Sequence, residues 1–252
     1  MLPYIHIPPL DIGGWLVIQP FGVLVVIGCA LGWQIAVREA RLRSLDPKVV
    51  ESAGMWGLLI GFPMASFVAV AFYFPEQAWA NPLLLLQFWK NMSSFGGFLG
   101  GAIGVLGYLW LKKKPILAYL DCFIVGLLVG WFFGRMGCSI VHDHPGLPTQ
   151  FPLGVRFPDG PRHDLGLYEW FYTIFMLAVV FSLPRAKMPA GMVLGIVCVL
   201  YAPVRFGLDF LRVADRLYLG FTPGQYMAVA LLLVGLGVVW KSMRDTPQPS
   251  RA

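Results

Sequence analysis

The sequence predicts an all-α integral membrane protein of about seven transmembrane helices, with its N-terminus outside and its C-terminus in the cytoplasm. Three observations carry that prediction. Of the 252 residues, 58% are hydrophobic and only 13% are charged, whereas a soluble domain carries roughly a quarter charged residues. The apolar residues gather in runs that span a bilayer, or nearly so, at roughly 16–37, 52–74, 95–111, 116–136, 166–183, 190–211 and 222–240. Basic residues fall in alternate connections between those runs: Arg38, Arg41, Arg43 and Lys48, then Lys112–Lys114, then Arg185 and Lys187, then Lys241, Arg244 and Arg251. Alternate connections share one side of the membrane, and the excess of Lys and Arg makes that side cytoplasmic.

The runs form one polytopic domain over residues 1–245, followed by a short cytoplasmic tail at 246–252. The third and fifth runs are short and lean on flanking residues. Met1–Ile18 lacks a basic stretch, an apolar core and a small-residue cleavage site, so no cleavable signal peptide is expected and the first helix directs insertion. The formal charge of +6 is spread over short connections rather than gathered on a polar domain, which argues against nucleic acid as a partner. The four cysteines, Cys29, Cys122, Cys138 and Cys198, have neither metal nor disulfide spacing.

Two outer segments are longer than a connection needs. Residues 75–94 contain Trp79, Phe88 and Trp89 and suit an aromatic half-helix lying in the interface. Residues 138–165 are rich in Pro, Gly, Asp and His, and long loops of this kind are commonly functional. Glycines recur every fourth residue at Gly96, Gly100 and Gly104, at Gly97 and Gly101, and at Gly126, Gly130 and Gly134. That spacing lets helix backbones approach closely in lipid. The pair Gly96–Gly97 also leaves room for a lipid headgroup to reach the backbone.

Charges within apolar runs are costly unless paired or hydrated, and mark candidate sites. Arg135 lies at the outer end of the fourth run. Arg205 lies inside the sixth, with Asp209 and Arg212 following on the same helical face. These residues read either as a ladder of ion pairs or as an anion site, because the planar guanidinium fork suits phosphate. Asp121 and Glu169, near the starts of the fourth and fifth runs, read as residues that cap or pair at a helix end. His142, His144 and His163 fall in the second outer segment, as plain loop residues or as candidate bases. A His-x-His pair with a distant histidine is not a defined ligand set, so no metal is expected.

Together these motifs resemble the prolipoprotein diacylglyceryl transferase family, in order and spacing along nearly the whole chain. Residues 134–146 align without a gap on G-R-x-G-N-F-x-N-x-E-x-x-G, carrying Gly134, Arg135, Gly137 and Gly146, with Asp143 in place of glutamate. Residues 162–169 match R-H-P-S-Q-L-Y-E at Arg162, His163, Leu167, Tyr168 and Glu169. Tyr201, Arg205, Asp209 and Arg212 match Y-x-x-x-R-x-x-x-E-x-x-R, again with aspartate for glutamate. Gly96, Gly97 and Gly100 match H-G-G-x-x-G. Phe95 stands where that family has histidine. Phe21 stands where it has an early tyrosine, and Cys138 and Val141 where it has two asparagines.

The resemblance implies seven helices with the N-terminus outside, and a place in a bacterial cell membrane, the inner one where there are two. It implies transfer of the diacylglyceryl group of phosphatidylglycerol to the lipobox cysteine of a prolipoprotein signal peptide, with glycerol phosphate leaving. Arg135 and Arg205 would hold the phosphate and stabilise the leaving group, oriented by Tyr201, Asp209 and Arg212. Gly96, Gly97, Gly137, Asp143, Gly146, Tyr168 and Glu169 would line the substrate site. No cofactor is implied. With Phe95 unable to accept a proton, His142 or His144 is the candidate base. Two other readings stay open: a transferase with a different acceptor, and a non-catalytic homologue that binds phospholipid or lipoprotein precursors.

Overall fold

The computed structural model describes residues 1–5, 7–13, 16–73, 93–213 and 218–245. Local sequence sets where its helices begin. Helix α1 (Pro20–Leu42) opens on a proline, whose preset φ and missing N–H suit a first helical turn. Helix α2 (Pro47–Val68) opens in the same way behind Asp46, whose side chain accepts from the Lys48 N–H. A short π-helical turn, Ala69–Tyr73, continues it. Helix α3 (Ser94–Leu111) is capped by Ser93. Helix α4 (Ile116–Val141) is the longest. Helix α5 (Leu165–Ser182) is capped by Asp164. Helix α6 (Met192–Asp209) follows Gly191, and α7 (Pro223–Arg244) carries a reciprocal cap between Thr222 and Gln225.

Six of these helices are long and apolar enough to cross a membrane. The third apolar run does form a helix, but its Gly96–Leu111 stretch is shorter than that. Two small sheets depart from the expected all-α architecture. Strands β1 (Leu10–Ile12) and β2 (Leu16–Ile18) pair antiparallel, so the first helix starts at Pro20 and not near residue 16. Strands β3 (Pro145–Pro148), β4 (Val155–Phe157) and β5 (Gly160–Asp164) form a sheet in the order β3-β5-β4. The proline- and glycine-rich stretch had read as loop because its strands are short and lack apolar alternation. Helix α4 also runs on to Val141, so Cys138 belongs to that helix and not to the segment after it. The interfacial half-helix expected around Trp79, Phe88 and Trp89, and the tail 246–252, lie outside the described residues.

The chain divides into two compact units, Ala40–Tyr119 and the remainder. Within the first, α2 and α3 pack through the glycine repeat. A Cβ on Gly100 would lie 2.5 Å from Met64 Cβ and 2.8 Å from the Ile60 carbonyl, so only glycine fits. Gly96 is likewise buried against Met64, Ala65 and Val68 of α2. Its backbone serves helix packing, not an open approach to a headgroup.

In the second unit α1 and α4 meet at Gly32 and Gly126; a Cβ on Gly32 would stand 2.6 Å from the Gly126 carbonyl. Helices α4, α5 and α6 bury a common core of Val125, Leu128, Met176, Val180, Val193 and Val197, with Tyr201 packed against it. Asp121 of α4, fully buried, accepts from the Gly191 and Leu194 N–H groups at 2.8 Å each, capping α6 from a neighbouring helix. The helix-end role expected of Asp121 is thus met on a helix other than its own. Arg185 forms a buried pair with Glu39 at 3.0 Å and stacks on Phe181. The β3–β5–β4 sheet is tied down by Leu2, which donates to Gly154 and accepts from Arg156, and by the Leu147 N–H donating to Leu211.

Candidate functional site

Arg135 sits in the last two turns of α4, Glu169 in the second turn of α5, and Tyr201, Arg205 and Asp209 share one face of α6 at i, i+4 and i+8. The three helices bring these groups together on one carboxylate. Arg135 Nε lies 2.9 Å from Glu169 Oε2. The Tyr201 hydroxyl donates to the same oxygen at 2.9 Å. Arg205 Nη1 lies 3.7 Å from Glu169 Oε1 and 2.5 Å from Asp209 Oδ1. Glu169 is only 4% exposed, and a carboxylate this deep is stable only because every side of it meets a donor or a cation.

Aromatic rings and a cap hold the flanks. The Arg135 guanidinium lies 4.3 Å from the Trp131 ring centroid, and Tyr201 meets the same ring edge-on. Asp209 accepts a hydrogen bond from the Thr222 hydroxyl at the start of α7. Gly224 lies so close to Asp209 and Arg205 that a Cβ there would collide with the carboxylate. Arg212 Nη1 approaches Asp209 Oδ1 at 3.8 Å. Three guanidinium groups thus share two buried carboxylates, leaving one formal positive charge in a partly enclosed site. Guanidinium groups carry the planar, paired donors that match a phosphate.

Beyond the end of α4 the two histidines have different surroundings. His142 is held on both nitrogens, with Nδ1 2.5 Å from Asp164 and Nε2 3.2 Å from the Ile5 carbonyl. It also stacks on Tyr4, with ring centroids 4.4 Å apart. His144 faces Asp143, Nε2 to Oδ1 at 3.8 Å, too far for a hydrogen bond. Burial lowers the His144 pKa; the Asp143 charge opposes this, while Arg135 and Arg212 push the same way, so the imidazole is neutral near pH 7. Asp143, His144, Asp159, Arg162 and Arg212 line a cavity of about 480 Å³, with Phe157 among its apolar walls. Its two acids face two guanidinium groups, and Arg162, hydrogen-bonded to Asp159 at 2.6 Å, holds that carboxyl below the usual range.

The remaining predicted residues are placed as follows. Gly137 packs on Phe21; a Cβ there would lie 2.8 Å from the phenyl ring. Gly146 packs on Leu211 and His163, bridging to Arg212. Tyr168 bonds to His163 at 2.9 Å and to the Leu153 carbonyl, on the sheet side and not in the Glu169 network. Burial lowers the His163 pKa. Gly96 and Gly97 belong to the other unit. Glu169, expected as a helix-end residue, is the centre of the network. Trp131 and Thr222 were missed. Thr222 announces itself as an N-cap at the start of the last apolar run, but nothing local says that its hydroxyl reaches Asp209.

The helices and this site define a multi-pass membrane protein with a buried arginine–carboxylate centre. The model of the prolipoprotein diacylglyceryl transferase family matches residues 9–241, and the chain belongs to that family. It is similar to proteins named phosphatidylglycerol–prolipoprotein diacylglyceryl transferase. One, from Chromohalobacter salexigens, is 33% identical over 100% of this chain and 98% of the relative. Another, from Nitratidesulfovibrio vulgaris, is 32% identical over 97% and 96%. A third, from Pseudomonas fluorescens, is 30% identical over the whole of both chains.

Proposed function

We propose that this protein transfers the diacylglyceryl group of phosphatidylglycerol to the lipobox cysteine of a prolipoprotein. The observation that carries the reading is the convergence of Arg135, Tyr201 and Arg205 on Glu169 in a chain that matches the family over its length. The guanidinium groups hold the phosphodiester and stabilise the charge that grows on the departing phosphate oxygen. The acceptor thiol loses its proton to a base. Its sulfur forms a bond to the terminal glyceryl carbon as that carbon's bond to the phosphate oxygen breaks, and glycerol phosphate leaves. Asp209, Arg212 and Tyr201 keep the two arginines aimed, and no cofactor takes part.

His144 is the base in this account. His142 has both nitrogens engaged, whereas His144 lines the cavity and is neutral. The test assays wild type, His142→Ala, His144→Ala and Phe95→His side by side with phosphatidylglycerol and a lipobox peptide. His144→Ala should lower turnover by about 10²–10⁴-fold, and His142→Ala should act mainly through stability. An inactive wild type that gains activity on Phe95→His would mean a lipid-binding homologue that has lost its chemistry.

The same account has seven spans in a bacterial cell membrane, α3 included, with the N-terminus and the β3–β5–β4 sheet outside. A reporter fused after Arg244 should read cytoplasmic and one inserted near Pro148 should read external; the reverse pattern would overturn this topology.

A further inference from the structure

We propose that Cys138, Asp143 and His144 form a binding site for a zinc-type divalent cation, and that its occupancy shuts off transfer. One ligand atom from each residue lies within 4.8 Å of the other two. The Asp143–His144 separation of 3.8 Å is longer than a hydrogen bond. It is close to the ~3.5 Å between two ligands on a tetrahedral ion with bonds of about 2.0–2.3 Å. Cys138 is held buried on α4. Asp143 and His144 follow directly on the turn beyond its end.

The donors choose the metal. A thiol, an imidazole and a carboxylate suit zinc, whereas calcium and magnesium require oxygen throughout. Three protein ligands leave one coordination position for water. Arg135 and Arg212 act on His144 and oppose a dication; the Asp143 carboxylate and the Cys138 thiolate formed on binding offset them. On binding, the Cys138 S–H proton passes to solvent, sulfur and imidazole nitrogen each bond the ion, and the ion surrenders water. The imidazole lone pair taken by the metal is then no longer free to accept the proton of the acceptor thiol. The inhibition rests on the assignment of His144 as base; the binding does not.

The experiment uses the full-length protein in detergent, stripped with EDTA and titrated with Co²⁺, then with Zn²⁺. One equivalent of cobalt should bind with a thiolate-to-cobalt charge-transfer band that zinc displaces. The band should persist in Cys29→Ser and Cys198→Ala and vanish in Cys138→Ser. Asp143→Asn and His144→Ala should weaken cobalt binding by about 100-fold or more, since loss of an outer-shell partner alone costs about 10–100-fold. Because Asp143 lies in an exposed position, its variant tests the site even if Cys138→Ser fails to fold. Saturating zinc should abolish turnover, and EDTA should restore it. Absence of saturable binding, or a band unchanged in Cys138→Ser, overturns the site. Zinc binding with undiminished turnover overturns the inhibition, and with it the role of His144 as base.

Discussion

Arg135→Lys and Arg205→Lys should each lower the rate of diacylglyceryl transfer by about 10²–10³-fold, the cost of losing one preorganised donor to a developing oxyanion. The lysine variants are more telling than alanine because they keep the charge. Arg135 sets its Nε on Glu169 and lays its plane on Trp131, contacts that fix the orientation of the guanidinium fork. An ammonium is a point charge without that fork, and it forfeits the stacking geometry. Arg205 bridges Glu169 and Asp209, so a lysine there can satisfy one carboxylate but not both. Initial rates with phosphatidylglycerol, alongside binding of that lipid by the purified variants, check the expectation. Lysine variants with wild-type rates and unchanged lipid binding would reduce both arginines to structural ion-pair members.

Glu169→Ala should be the most destabilising single change in the site. It leaves Arg135 without its ion partner and removes the acceptor of the Tyr201 hydroxyl, while Arg205 keeps only Asp209. Stranding a buried charge costs about 3–5 kcal/mol, which for a chain of this length lowers the melting temperature by about 6–20 °C. Glu169→Gln should fall between, since its amide oxygen still accepts from Tyr201 but no longer neutralises the arginines. Thermal unfolding in detergent reads the difference. A melting temperature for Glu169→Ala equal to that of wild type would mean that the network does not hold α4, α5 and α6 together.

Much of this architecture was legible in the sequence because a membrane span writes itself as an unbroken apolar run. The apolar runs became helices, and the four-residue glycine repeats became the contacts of α2 with α3 and of α1 with α4. Arg135 and the Arg205–Asp209–Arg212 face stood out because charge in an apolar run is conspicuous. Partners far apart in the chain were not legible. Glu169 looked like any acid near the start of a helix, and only the meeting of three helices makes it the hub. Asp121 caps a helix that starts about seventy residues later, and Glu39 pairs with Arg185 across 146 residues, because contacts between helices leave no periodic trace. The histidines could not be separated by sequence. Their difference depends on Asp164 and Ile5, which fold against one ring and not the other.

The most direct test of the central claim is mass spectrometry of a lipobox peptide incubated with the purified protein and phosphatidylglycerol vesicles. The account predicts a peptide that gains one diacylglyceryl group on its cysteine, with glycerol phosphate released in equal amount and no added cofactor. An unmodified peptide, from protein that binds phosphatidylglycerol normally, would contradict it.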